Sequence, residues 1–88
     1  MNYFVYIIGS YKNCKLKTYV GYTNNLKRRL FLHNSNKGAK STKGRKWKVL
    51  YYEKIDSKIK AMSREYVIKK NRYLRKNIRS KFLSTNLL

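Results

Sequence analysis

The chain predicts an α+β domain with element order β-β-α-β-α-α: a small three-stranded sheet, mixed or antiparallel, flanked by helices. Three observations carry this. Runs of β-branched and aromatic residues occur at 3–8, 17–22 and 47–53. Apolar residues at helical spacing follow the second and third of these runs. The whole is 88 residues with 42% hydrophobic content, which is one domain with one modest core.

Each element has a local reason. Tyr3-Phe4-Val5-Tyr6-Ile7-Ile8 is apolar without alternation, so it reads as a strand covered on both faces, closed by Gly9-Ser10. Tyr11 to Leu16 is a polar connection with Asn13 as its turn residue. Lys17 to Tyr22 is the second strand, and so short a link favours an antiparallel hairpin. Thr23 or Asn24 caps a helix from Asn25 to His33, whose stripe is Leu26, Leu30 and His33. Arg29 borders that stripe, and Arg28 lies about 100° round the helix from Arg29, towards solvent. A polar, glycine-containing loop follows, rich in positive charge at Lys37, Lys40, Lys43, Arg45 and Lys46. Trp47 to Glu53 is the third strand. Asp56 or Ser57 caps a helix over Lys58 to Lys70, with Ile59, Met62 and Tyr66 as its apolar stripe and Ala61 and Ile68 to one side. A last helix runs from Arg72 to Phe82 with Tyr73, Leu74, Ile78, Phe82 and Leu83 apolar. The domain is expected to span 1–83, with 84–88 as a C-terminal tail.

Charge narrows the partner. There are 23 Lys and Arg against 3 Asp and Glu, a net charge of +20. Such a chain repels itself and calls for a polyanion. Nucleic acid is the expected partner, because each phosphate neutralised releases a counterion. The basic residues are spread along the chain, not gathered on one amphipathic helix, which argues against a membrane surface. A single cysteine, Cys14, excludes an internal disulfide and a Cys-rich zinc site. No run approaches the ~20 apolar residues of a membrane span, and Tyr3 to Ile8 is too short for a secretory signal. The expectation is a cytoplasmic protein.

Catalytic equipment is sparse: one His and three carboxylates. Glu65 stands four after Ala61 and three before Ile68, beside the apolar side of its helix. It either pairs with a base such as Arg64 or Lys69, or ligates a hard cation such as Mg²⁺ that also takes water and phosphate oxygens. Tyr6 and Tyr19 stand on paired strands and either pack or act. A phenol serving as a base needs a pKa below its usual ~10, and nearby positive charge would supply that. Arg29 is either a phosphate clamp or the group that stabilises transition-state charge. His33, one turn on, packs or shares a proton. Trp47 and Tyr11 are candidates for exposed stacking aromatics.

Taken in order, Phe4-Val5-Tyr6, Tyr19-Val20-Gly21, Arg29, His33-Asn34, the basic loop 34–45 and Ala61-Met62-Ser63-Arg64-Glu65 resemble the GIY-YIG endonuclease superfamily, over Tyr3 to about Asn71. The chain is also similar to the nuclease domain of junction resolvases. The resemblance implies a three-stranded antiparallel sheet flanked by helices. It implies metal-dependent cleavage of a DNA phosphodiester, with Mg²⁺ or Mn²⁺ on Glu65. Tyr19 or Tyr6 would activate water, Arg29 would stabilise the phosphorane-like charge, and Gly21 would be the motif glycine. Three positions depart from the pattern: Phe4 stands where the family has glycine, Tyr22 where some members have lysine, and the late asparagine has only Asn77 as a candidate. The leading expectation is a DNA nuclease of repair or recombination, acting on single-stranded or branched DNA. The alternative is a non-catalytic module binding DNA or RNA.

Overall fold

A computed structural model describes residues 2–87. The fold is the expected one: strands β1 (Tyr3–Lys12), β2 (Lys15–Thr23) and β3 (Lys48–Ile55), with helices α1 (Leu26–Asn34), α2 (Lys58–Lys70) and α3 (Arg72–Leu87). The strands lie in the order β2-β1-β3, and both pairings are antiparallel. β1 is therefore central, and Val5 to Ser10 are all buried, as an unbroken apolar run requires.

The hairpin is longer than expected. β1 and β2 pair as far as Lys12↔Lys15, leaving only Asn13 and Cys14 in the turn. Both have positive φ, 55° and 61°, the backbone that a tight type I′ hairpin turn requires. Tyr11, Lys12 and Lys15 at the tip are exposed and only Leu16 is buried, so the strand ends carry no apolar alternation to mark them.

The two faces of β1 feed two cores. Val5 and Ile7, with Val20, meet Ala61 and Ile68 of α2 and Leu74 and Ile78 of α3. Tyr6 and Ile8 meet Trp47, Leu26 and Leu30 on the side of α1. A bulge between Ile7 and Ile8 leaves Leu50 of β3 without a partner on β1. Gly9 makes room for it: a Cβ there would stand 2.6 Å from Leu50 Cδ1.

Two helix caps sit close to their expected places. Asn25, one residue later than expected, caps α1 by accepting from Arg28 N, and Ser57 caps α2 by accepting from Lys60 N. The stripe of α2 needs a larger correction. Ile59, Met62 and Tyr66 face solvent, and Ile59 is 78% exposed. The side that packs is Ala61–Ile68, both fully buried. Apolar count favoured the wrong side; the small Ala61 is what lets the helix approach the sheet. Tyr73, placed in the apolar set of α3, is likewise exposed, whereas Leu74 and Ile78 pack. Helical backbone also continues through 84–87, a segment expected to be a tail, and Leu88 lies outside the described residues.

Glu53 of β3 clamps α2. Its two oxygens accept from Arg64 Nε at 2.7 Å and Nη2 at 2.8 Å, and Tyr51 Oη donates to the same carboxylate. The fork of Arg64, with burial opposing, holds the Glu53 carboxyl below its usual range.

Replacing Ile68 with alanine is expected to cost about 2–5 kcal/mol of stability. The Ile59→Ala change should stay within about 0.5 kcal/mol. Urea unfolding of the two variants checks both.

Candidate active site

Hairpin register sets the first two side chains. Tyr6 pairs with Gly21, and Ile8 with Tyr19, so Tyr6 and Tyr19 are diagonal neighbours on the α1 face. Gly21 has no side chain in the path of the Tyr6 ring: a Cβ there would stand 2.6 Å from Tyr6 Oη and 2.8 Å from its Cζ. The motif glycine is thus a space requirement of the first tyrosine.

α1 brings His33 beneath both rings. Tyr6 Oη and His33 Nε2 are 2.8 Å apart. The imidazole also lies 5.1 Å from the Tyr19 ring, centroid to centroid. Its other nitrogen, Nδ1, is 2.9 Å from Thr42 Oγ1. His33 is completely buried. Burial, and then the neighbouring Arg29 guanidinium, push its pKa below the ordinary imidazole value of 6.5. It is a neutral ring at pH 7.

Tyr6, Tyr19, Gly21, Arg29 and Glu65 line one open cleft of about 460 Å³. Its walls come from the start of β1, the end of β2, α1 and α2, and Tyr3, Tyr22, Thr23, Asn24 and Lys58 complete them. Glu65 reaches it because it lies on the packed side of α2, in line with Ala61 and Ile68. Its Oε1 pairs with Lys69 Nζ at 3.0 Å. Arg64, the other expected partner, is taken by Glu53.

The Tyr6 phenol departs from expectation. Burial raises its pKa to about 12; Arg29 pulls the other way but less strongly. In the protein by itself the phenol therefore stays protonated at neutral pH. Charge proximity suggested depression, but the low polarity of a buried site outweighs it.

The basic loop is more ordered than its composition suggests. It contains a short 3₁₀ turn (Lys40–Thr42), and Thr42 is fully buried. Lys37, Lys40, Lys43 and Lys46 are exposed. Arg45 is not: its Nε donates to Ser10 Oγ at 3.1 Å and its Nη2 to Ser10 O at 3.2 Å, which anchors the loop to β1. Trp47, expected as an exposed aromatic, is only 3% exposed. Its indole N–H donates to Thr42 O at 2.9 Å. Asn34 holds its backbone from both sides, accepting from Trp47 N at 2.6 Å and donating to Trp47 O at 3.1 Å. Tyr11 is exposed as expected.

The three departures from the family pattern can now be placed in the structure. Tyr22 stands at the cleft without a charge, but Lys58, from the first turn of α2, lines the same cleft. Sequence reading missed Lys58 because nothing local distinguishes it from the other lysines. Asn77 lies in a groove between β3 and α3, and the asparagine at the cleft is Asn24. Phe4 packs edge-on against Tyr52, with ring centroids 6.1 Å apart.

Residues 2–77 match the family described as the GIY-YIG catalytic domain. The chain belongs to the GIY-YIG family. It is 49% identical to a UPF0213 protein of Clostridium perfringens over 80% of this chain and 72% of that one. It is 46% identical to a UPF0213 protein of Oceanobacillus iheyensis, over 76% of each chain. A UPF0213 protein of Bacillus halodurans, solved by solution NMR, is 35% identical; it covers 93% of this chain and 85% of its own, with a TM-score of 0.47. The family is one of nucleases, so a nucleic-acid substrate is implied for this GIY-YIG domain. Its members generally depend on a divalent metal. Among the described residues no helix is long and apolar enough to cross a membrane.

His33 is the only histidine, so its titration can be followed as a single NMR resonance. The midpoint is expected below 6.5. The unfolded chain then binds the extra proton first as pH falls. Stability should decline as pH drops below about 6.5 and level off once the folded imidazole protonates; urea midpoints across pH 5–8 measure it. Gly21→Ala should destabilise the GIY-YIG domain by about 1–3 kcal/mol, since the Tyr6 ring must move. Thermal unfolding reads that loss, and the His33 resonance reads the displaced phenol.

Proposed function

We propose that this GIY-YIG domain is a metal-dependent endonuclease that hydrolyses DNA phosphodiester bonds, acting on single-stranded or branched DNA in repair or recombination. The supporting observation is the convergence of Tyr6, Tyr19, Arg29 and Glu65, from four separate elements, on one cleft with His33 behind it.

The cleft's donor set fits a Mg²⁺ or Mn²⁺ ion held by one protein carboxylate. Among the described residues no three His, Cys, Asp or Glu gather into a cage. Mg²⁺ commonly keeps several waters and takes substrate phosphate oxygens beside one or two carboxylates. Glu65 would hold it; when bound, the ion supplies charge that neutralises the phosphate and acidifies water.

The chain's own groups do the rest. Arg29, a planar and permanent cation, is suited to the negative charge that builds on the phosphate. The Tyr6–His33 pair receives a proton from the attacking water: the water proton goes to Tyr6 Oη as the phenol proton passes to His33 Nε2. The oxygen of that water forms the new P–O bond while the bond to the leaving oxygen breaks. The leaving oxygen is protonated by solvent, and His33 returns its proton to solvent through Tyr6. Tyr19 packs against the same imidazole and orients the water. Lys37, Lys40, Lys43 and Lys46 bind the phosphate backbone, and Lys58 adds charge at the cleft.

The test is cleavage of labelled linear, single-stranded, flap and junction DNA, with matching RNA, in Mg²⁺, Mn²⁺ or EDTA. Metal-dependent cutting is expected on DNA. It should fall about 100-fold or more in Arg29→Ala and Glu65→Ala, with DNA affinity retained. Tight binding with no cutting of any substrate would instead make this a binding module.

A further inference from the structure

Thr42 lies in the loop that composition marks only as basic, yet it is fully buried and touches the only histidine. Its hydroxyl carries one proton, and the partner of that proton is settled by chemistry. Thr42 Oγ1 is 2.8 Å from Ala39 O, a carbonyl that can only accept. The Thr42 proton therefore goes to Ala39. Towards His33, 2.9 Å away, the same oxygen has only lone pairs to offer. Nδ1 must be the N–H of the neutral ring, and Nε2 carries the lone pair facing Tyr6 Oη at 2.8 Å.

We propose that Thr42 is a positioning residue: by accepting from Nδ1–H it holds His33 in the tautomer whose Nε2 can take the Tyr6 proton. With the other tautomer, Nε2–H would face the phenol and that transfer could not start. Three further contacts hold Thr42 and the ring in place. Thr42 N donates to Ala39 O at 3.0 Å, and the Trp47 indole donates to Thr42 O at 2.9 Å. Gly38 stands beside the imidazole, where a Cβ would crowd His33 Nδ1 and stand 3.0 Å from its Cε1. The loop that bears the backbone-binding lysines thus also sets the proton on the site's histidine. Any role of this in turnover rests on the nuclease reading above; the tautomer itself does not.

The single histidine makes the test direct. The full chain, labelled with ¹⁵N-histidine and free of metal and DNA, is examined by long-range ¹H–¹⁵N NMR of the ring at pH 7.5. The expected result is a protonated Nδ1 in the wild type and in Thr42→Ser, which keeps the hydroxyl. Thr42→Val keeps the shape and removes the acceptor, and the proton should shift substantially to Nε2. A wild-type ring protonated on Nε2 overturns the proposal without any variant. So does a folded Thr42→Val whose ring is still protonated on Nδ1. In cleavage assays Thr42→Val should lose kcat by about 10-fold or more with KM little changed, and Thr42→Ser should restore it. Loss of cleavage with an unchanged tautomer also overturns the proposal. The predicted tautomers in a protein that cuts no substrate would leave the proposal standing and end the nuclease reading instead.

Discussion

The buried imidazole of His33 is the constraint on which this molecule's candidate site depends. A fully buried polar ring must have both nitrogens satisfied, or the domain loses stability it can ill spare. The structure satisfies them from opposite ends: Tyr6 from the sheet and Thr42 from the loop. That requirement explains features that look unrelated along the chain. Gly21 clears the path of the Tyr6 ring, Gly38 closes on the imidazole, and Asn34 and Trp47 hold the loop at the height where Thr42 can reach. Remove the histidine from its slot and Tyr6 Oη and Thr42 Oγ1 both lose the partner they share.

The same economy governs charge. With three acids against 23 basic residues, each carboxylate is engaged: Asp56 with Lys60, Glu53 with Arg64, Glu65 with Lys69. The pairs are not equivalent. Asp56–Lys60 is exposed and contributes little. Glu53–Arg64 is bidentate and fastens α2 to β3, which in turn fixes where Glu65 stands. One carboxylate therefore helps to place the other, the proposed metal ligand Glu65, at the cleft. Basic residues so far outnumber acidic ones that most of the positive charge is left over, and phosphate is the ligand that would complete it.

Residue types and intervals carried much of this. The continuous apolar run of β1, the capping residues near Asn25 and Ser57, and the placement of Glu65 beside Ala61 and Ile68 all follow from local rules. Where reading failed, the failures share a cause. The exposed stripe of α2, the buried Trp47 and the anchored Arg45 are matters of which surface happens to lie opposite, and no local pattern encodes that. Lys58 reaches the cleft from a helix that begins 36 residues after Tyr22 only because α2 crosses the end of β2.

The sequence by itself determined the element order, the family and the short catalogue of residues able to do chemistry, because these depend on residue type and on spacing along one chain. The tertiary structure alone decided which of these groups stand within reach of one another and how burial shifts them. It raised the Tyr6 pKa where charge counting suggested the reverse, chose Lys69 over Arg64 for Glu65, and made Thr42 a partner of His33. These outcomes turn on burial and on which neighbour another element has already engaged, as Glu53 of β3 engages Arg64, and spacing along the chain does not settle either.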